Sequence, residues 1–310
     1  MDKGRIILVS TVATVLFIIY LVSTLDILRE EDQSESEYMK AFVELRVINN
    51  LRRSRLLHIS KYSNLSVSKP GDKDWSVAFK KIADDLRPTK EYVCENTKPR
   101  GHEDKYDCNT LPFIINKRCL VYSFGIGYDW SFDDTMSRLN CEVHSFDPSM
   151  INVKEHVRST GVHFHRTGIG GQKADTFSPR VDSYVKHHPS QTWKMKTLSE
   201  ILTDLGHQKR HLDILKIDIE SYEWDVLRNI LDEDLTPRIR QLLIEFHLFP
   251  DTPKTKIIEY QNIYERMKNA GFRRHSGGIQ PHLYNAKIGH LHAECGYVNL
   301  MFDFNKYPVV

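Results

Sequence analysis

The sequence is short of most features that would name a partner from composition. Its 310 residues hold 43 Lys and Arg against 41 Asp and Glu, a net charge of +2. That balance argues against a nucleic-acid partner and against a strongly acidic one. There is no internal repeat and no low-complexity tract. Cysteine is sparse: five residues with no C-x-x-C pair, which excludes a zinc ribbon, and no residue is assigned to a metal. An odd number leaves at least one thiol unpaired or bridged to another chain. Cys94 and Cys108 flank a polar loop rich in Gly, Lys and Asp and are the best candidate disulfide; five free thiols is the alternative.

Long apolar runs are missing too, with one exception at 6–25. About twenty apolar residues suffice to cross a bilayer as a helix. Lys3 and Arg5 precede the run, and Asp26, Glu30, Glu31 and Asp32 follow it, with one Arg29. The positive-inside rule then puts residues 1–5 in the cytoplasm and the body in the lumen, as a single-pass type II protein of the endoplasmic reticulum, the Golgi or the cell surface. A cleaved signal peptide is the rival; its apolar core would be shorter, and no clean small-x-small cleavage site follows. Asn64-Leu65-Ser66 is the one glycosylation sequon. Residues 26–90 read as stem and linker. Within them, Phe42, Leu45, Val47, Ile48 and Leu51 are spaced as on a helix that could pair with a second chain to make a dimer. A Pro-Gly turn lies in 61–74.

From about residue 91 strands and helices alternate. Strands are expected at 120–124, 142–146, 162–166, 212–217 and 240–246, and closing strands at 272–274 and 297–304. Helices are expected at 133–140, 151–159, 197–205, 222–230 and 254–270; the third opens on the capping box Thr197-x-x-Glu200. This is the pattern of an α/β domain, 91–310, with a parallel sheet wound on both faces by helices and closed by an antiparallel strand.

The first strand runs into Gly125-x-Gly127, a turn that leaves room for a ligand to approach the backbone. A dinucleotide fingerprint needs a third glycine to receive a diphosphate. Here that glycine is absent, and Asp129, Asp133 and Asp134 would repel a phosphate. A ligand with a ribose and no phosphate fits better, and S-adenosylmethionine, with its cationic sulfonium, is such a ligand. An ordinary tight turn is the bland reading. Asp147 ends the second strand, 22 residues after Gly125, where a carboxylate can take both ribose hydroxyls. Alternatively, Asp147-Pro148 only starts a helix. Thr167, Gly168 and Ile169, after the third strand, could line the adenine pocket.

In Leu215-Lys216-Ile217-Asp218-Ile219-Glu220-Ser221-Tyr222-Glu223, alternation puts Lys216 and Asp218 on one side of a strand that parallel packing should bury. Asp218 and Glu220 fall at the carboxyl end of the strand, where open α/β sheets bind ligands. Glu245 and His247 end the next strand in the same way. A Lys–acid pair with dipole-complementing glutamates is the purely structural alternative.

These segments, 121–148, 215–227 and 242–247, resemble the FkbM-like class of S-adenosylmethionine-dependent methyltransferases, and within it the membrane-anchored methyltransferase-like protein 24 group of animals. The resemblance covers about 92–304 and is carried by K-x-D-x-E-x-x-E at Lys216, Asp218, Glu220 and Glu223. It implies a seven-stranded Rossmann-like fold, a cofactor held by Phe124, Gly125, Gly127 and Asp147, and O-methylation of an unidentified acceptor. Asp218, Glu220, Glu245 and His247 are the candidate bases. The acid common before G-x-G is replaced by Ser123-Phe124. Two other readings stand: a lumenal glycosyltransferase, with Asp218-x-Glu220 or Asp232-x-Asp234 imitating D-x-D, and a non-catalytic binding protein that keeps only the fold.

Overall fold

In the computed structural model the described residues are 74–102, 105–115, 118–304 and 306–307. The apolar run 6–25, the stem helix and the sequon lie outside them. Among the described residues, no helix is long and apolar enough to cross a membrane.

The sheet forms around β10, Leu212–Ile217, all six residues of which are buried. An apolar strand of this kind is stable only when both faces are covered. It pairs in parallel with β3, Leu120–Phe124, on one side and with β11, Ile239–Leu248, on the other. Beyond β3 come β4, Glu142–Phe146, then β6, His163–His165, both parallel. Beyond β11 lies β13, His290–Asn299, antiparallel, and then β12, Phe272–Asn285. With the short β5, His156–Val157, the order is β12-β13-β11-β10-β3-β4-β6-β5. The expected seven strands are all present and β5 makes an eighth. It replaces the helix expected over 151–159. Ile151, Val153 and Val157 do not form a stripe of period 3.6, and the segment has no apolar face to lay on the sheet; Val157 is 58% exposed.

The helices are α1, Trp75–Asp85; α2, Ser131–Arg138; α3, Leu198–Asp204; α4, Glu223–Asp232; and α5, Lys254–Asn269. The capping box of α3 forms as expected, with Thr197 N–H donating to Glu200 Oε2 at 2.9 Å. Helix α5 buries Ile257, Tyr260, Ile263, Tyr264 and Met267, a spacing of three and four. Although α1 falls in the region assigned to the stem, Ala78, Phe79, Ile82 and Ala83 belong to the main core. The folded domain therefore includes residues from at least 75. Trp224 of α4 is the largest fully buried side chain; it stacks on Tyr260 and donates Nε1–H to the His247 carbonyl at 2.9 Å.

Three further parts differ from expectation. The closing strands extend far beyond 272–274 and begin at His290, ahead of 297. Gly277, Gly278 and Pro281 make the segment look like a loop locally, and pairing across the hairpin decides otherwise. A hairpin of β1, Thr97–Arg100, and β2, Lys105–Cys108, is pinned to β11 by Gln241, which bonds the Cys108 N–H at 2.7 Å and the Cys108 and Phe113 carbonyls at 3.1 and 2.8 Å. A second sheet, β7-β9-β8 (Gly168–Ile169, Trp193–Lys196, Ala174–Phe177), follows β6.

Cys94 and Cys108 are disulfide-bonded as expected. Cys119 and Cys141 form a second bridge, at the entries of β3 and β4, and Cys295 is free and buried. The second bridge closes a 22-residue separation. Replacing both Cys119 and Cys141 by Ala should cost about 3 kcal/mol from loop-closure entropy. The check is the denaturant midpoint of the double variant against the parent, both without reductant.

Candidate functional site

The carboxyl ends of β3, β4 and β10 open on one pocket. Its walls include Gly125, Ile126, Gly127, Asp147, Gly168 and Ile169, with Asp218 and Glu220 on the β10 side and Asp182, Tyr184, Trp193, Met195 and Tyr222 opposite. The G-x-G turn exists because β3 and β10 leave no space: a Cβ on Gly125, at φ +75°, would lie 1.6 Å from the Asp218 carbonyl oxygen. Lys216, 3% exposed, donates to the Gly125 carbonyl at 2.8 Å and braces the turn from behind.

Asp147 is placed against this turn. Its Oδ2 accepts the Ile126 and Gly127 N–H groups at 3.0 and 2.9 Å, and its Oδ1 accepts the Ser149 N–H and hydroxyl at 2.9 and 2.6 Å. A carboxylate offers about four acceptor sites, and these four bonds occupy them, so Asp147 lines the pocket chiefly as the builder of the loop. Phe124 does not line it. Its side chain is 1% exposed and stacks on Phe146 at 4.6 Å, and only its carbonyl serves the site, accepting the Asp218 N–H at 3.1 Å. Thr167 is likewise outside the lining, whereas Gly168 and Ile169 are in it.

Of the four candidate bases, Asp218 and Glu220 reach the pocket; Glu245 and His247 lie outside its lining. Glu220 and Ser221 have φ of 55° and 83°, conformations that cost about 1–3 kcal/mol each unless the surroundings hold them. Glu223, fully buried, does so: its Oε1 accepts the Ile219 and Ser221 N–H groups at 3.0 and 3.3 Å and faces His247 Nδ1 at 2.8 Å. Burial alone would lower the pKa of His247, but Glu223, Asp218 and Glu245 raise it to about 10. It is therefore an imidazolium at neutral pH and unsuited to accept a proton. Burial, with Asp218 and Glu223 adding to it against the opposing charge of His247, lifts Glu220 to about 7. That value suits a general base at neutral pH.

Sequence reasoning missed Lys105. It comes from β2, is 2% exposed, and sets Nζ 3.1 Å from Asp218 Oδ2, 3.8 Å from Glu245 Oε2 and against Glu294. Asp218, Glu245 and Glu294 are spaced as oxygen ligands of a cation, and the ammonium supplies that charge. Burial works against ionised Asp218, yet Lys105, Lys216 and His247 hold its pKa below the ordinary range. One ammonium does not balance three carboxylates, so Glu245 and Glu294 move upward through burial and the nearby acids. Nothing in the Cys94–Cys108 loop advertises this role, because Lys105 lies 113 residues from Asp218 in the chain.

Lys105→Met should cost about 3–5 kcal/mol at neutral pH, the usual effect of stripping one partner from a buried pair. The depressed pKa of Asp218 contributes stability that is present above its unfolded pKa near 4 and lost as pH falls below it. The variant loses that contribution, so its deficit should hold from pH 7 to about pH 5 and shrink between about pH 5 and pH 2. Denaturant titrations of both proteins across that range check this.

With this geometry in place, the comparisons are consistent. A family model described as "Methyltransferase domain" matches residues 43–298. Probable methyltransferase-like protein 24 of Homo sapiens is 40% identical over 136 residues, 44% of this chain and 34% of the relative. The protein of the same name from Rattus norvegicus is 39% identical over 137 residues, again 44% and 34%. The chain thus spans about a third of the length of the curated relatives it matches. A family match over more than half of the chain, on a mostly parallel sheet with its pocket at the strand ends, makes this protein a member of the methyltransferase domain family.

Proposed function

We propose that the protein binds S-adenosylmethionine in this pocket and transfers its methyl group to an oxygen nucleophile, with Glu220 as the base. The observation that carries the reading is the charge of the lining. Asp147, Asp182, Asp218 and Glu220 face the pocket, and no Lys, Arg or His is among the described lining residues. Such a surface attracts a sulfonium and repels a diphosphate. It favours the methyl donor over the nucleotide sugar of a glycosyltransferase. Asp147 faces the ribose position, and Ile169, Tyr184, Trp193, Met195 and Tyr222 supply apolar surface for a base.

The bound donor supplies an already activated methyl group, so the chain's own residues have to align the acceptor and take its proton. Glu220 lines the pocket on a backbone locked by Glu223, and its pKa of about 7 leaves it partly ionised at neutral pH. Of the four candidate bases, Asp218 is engaged by Lys105, His247 is already protonated and Glu245 lies outside the lining, which leaves Glu220. The two disulfides support an oxidising compartment. With the apolar run at 6–25 they are consistent with a membrane-anchored enzyme whose domain is lumenal.

Calorimetry should show binding of S-adenosylmethionine and none of a nucleotide sugar with manganese; the reverse result would overturn the reading. Asp147→Ala should weaken cofactor binding about 10- to 100-fold, the worth of charge-assisted hydrogen bonds. In a radiolabelled methyl-transfer assay on membrane extracts, turnover should rise with pH through about 7 as Glu220 ionises. Glu220→Gln should remove that rise and lower turnover about 10²–10⁴-fold while cofactor affinity is kept.

A further inference from the structure

Away from the pocket, at the opposite, entry end of β4, a second group of side chains converges. Glu142 and His144, two residues apart, share one face of the strand. His207, after α3, comes to the same place. His144 Nε2 and His207 Nε2 each lie 3.1 Å from Glu142 Oε1, and one donor atom from each of the three residues lies within 4.8 Å of the others. The edges of a tetrahedron of ligands around zinc are about 3.3 Å, from bonds of about 2.0–2.1 Å. The two measured separations are close to that.

Both rings are also oriented as metal-binding imidazoles are. His207 Nδ1 is 2.7 Å from the Tyr122 hydroxyl, and His144 Nδ1 is 3.0 Å from His165 Nε2. The far nitrogens are thereby fixed and both Nε2 atoms are aimed at the carboxylate, an arrangement of outer partners that recurs around bound metals. His144 and His207 are 5% and 7% exposed, while the Glu142 side chain is 37% exposed, so the group is rigid on one side and open to solvent on the other. Arg210 opposes a cation here. It pairs with Glu142 Oε2 and its Nη1 lies 3.3 Å from His207 Nε2. Its side chain is 37% exposed, and its unbranched stem can carry the guanidinium into solvent.

We infer that Glu142, His144 and His207 form a three-ligand site for a divalent transition metal of the zinc type, with Arg210 as the group the metal displaces. Two imidazoles and one carboxylate select zinc, cobalt, nickel or copper over magnesium or calcium. The fourth position is left to water. The site lies at the opposite end of β4 from the pocket, so it serves the stability of the β4 entry and takes no part in methyl transfer. The inference is independent of the proposed activity, and its test uses none.

The experiment titrates zinc chloride into the chelator-stripped full-length protein by calorimetry, with magnesium chloride as control and cobalt(II) as a spectroscopic probe. The expected result is a zinc isotherm absent with magnesium, a tetrahedral cobalt(II) visible spectrum and a higher melting temperature with zinc. His207→Ala and Glu142→Gln should each weaken binding at least about tenfold, and Arg210→Gln should tighten it by removing the competing cation. Circular dichroism identifies any variant that fails to fold, and Arg210→Gln, altering a half-exposed side chain, keeps the test decisive if the others do. No zinc heat, or binding indifferent to both His207→Ala and Arg210→Gln, would overturn the inference and leave the cluster as a hydrogen-bonded core group.

Discussion

Lys105 brings an ammonium into contact with Asp218 and Glu294 and to 3.8 Å from Glu245, and the ionisation of these three acids turns on that placement. Five carboxylates, Asp218 and Glu220 in the pocket lining and Glu223, Glu245 and Glu294 outside it, lie around Lys105 and His247, and ionising all of them in a medium that solvates charge poorly would be prohibitive. Lys105 fixes one negative charge on Asp218, and His247, protonated against Glu223, accounts for another. The remaining acids are pushed upward. Glu220, the one of these raised acids that lines the pocket, is thereby left near neutrality.

The K-x-D-x-E-x-x-E string acquires a separate physical task at each position. Lys216 braces the Gly125 carbonyl, Asp218 takes Lys105, Glu220 faces the pocket, and Glu223 holds the strained Glu220-Ser221 backbone and the His247 ring. Asp147 has the corresponding double duty on the other wall, since the carboxylate facing the ligand position also holds the N–H groups of the G-x-G turn. Pocket lining and loop geometry are thus carried by the same residue, so substitutions there change the shape of the pocket.

Local pattern was sufficient where an element's stability is local or its burial is two-sided. The apolar run of β10, the capping box of α3 and the stripe on α5 were each legible in the sequence, as were Gly125, Gly127, Asp147, Asp218 and Glu220 as neighbours of one crevice. Phe124 and Thr167 belong to the same motifs but point elsewhere, because strand alternation sends Phe124 into the core against Phe146. The hairpin of β12 and β13 was legible only at its ends, 272–274 and the part of 297–304 up to Asn299. Its Gly- and Pro-containing stretch has no strand propensity of its own, and only pairing with β13 makes it extend.

By itself, the sequence determined the alternating α/β order, the crevice at the ends of the first, second and fourth parallel strands, and the acidic character of its first loop, since these depend on periodicity, on glycine and on the sign of nearby charge. Tertiary structure alone decided which acids are ionised, which imidazole is already protonated, and that Cys119 meets Cys141. Those outcomes depend on burial and on partners such as Lys105, more than a hundred residues from Asp218 along the chain, and neither spacing nor propensity carries information about distance in space.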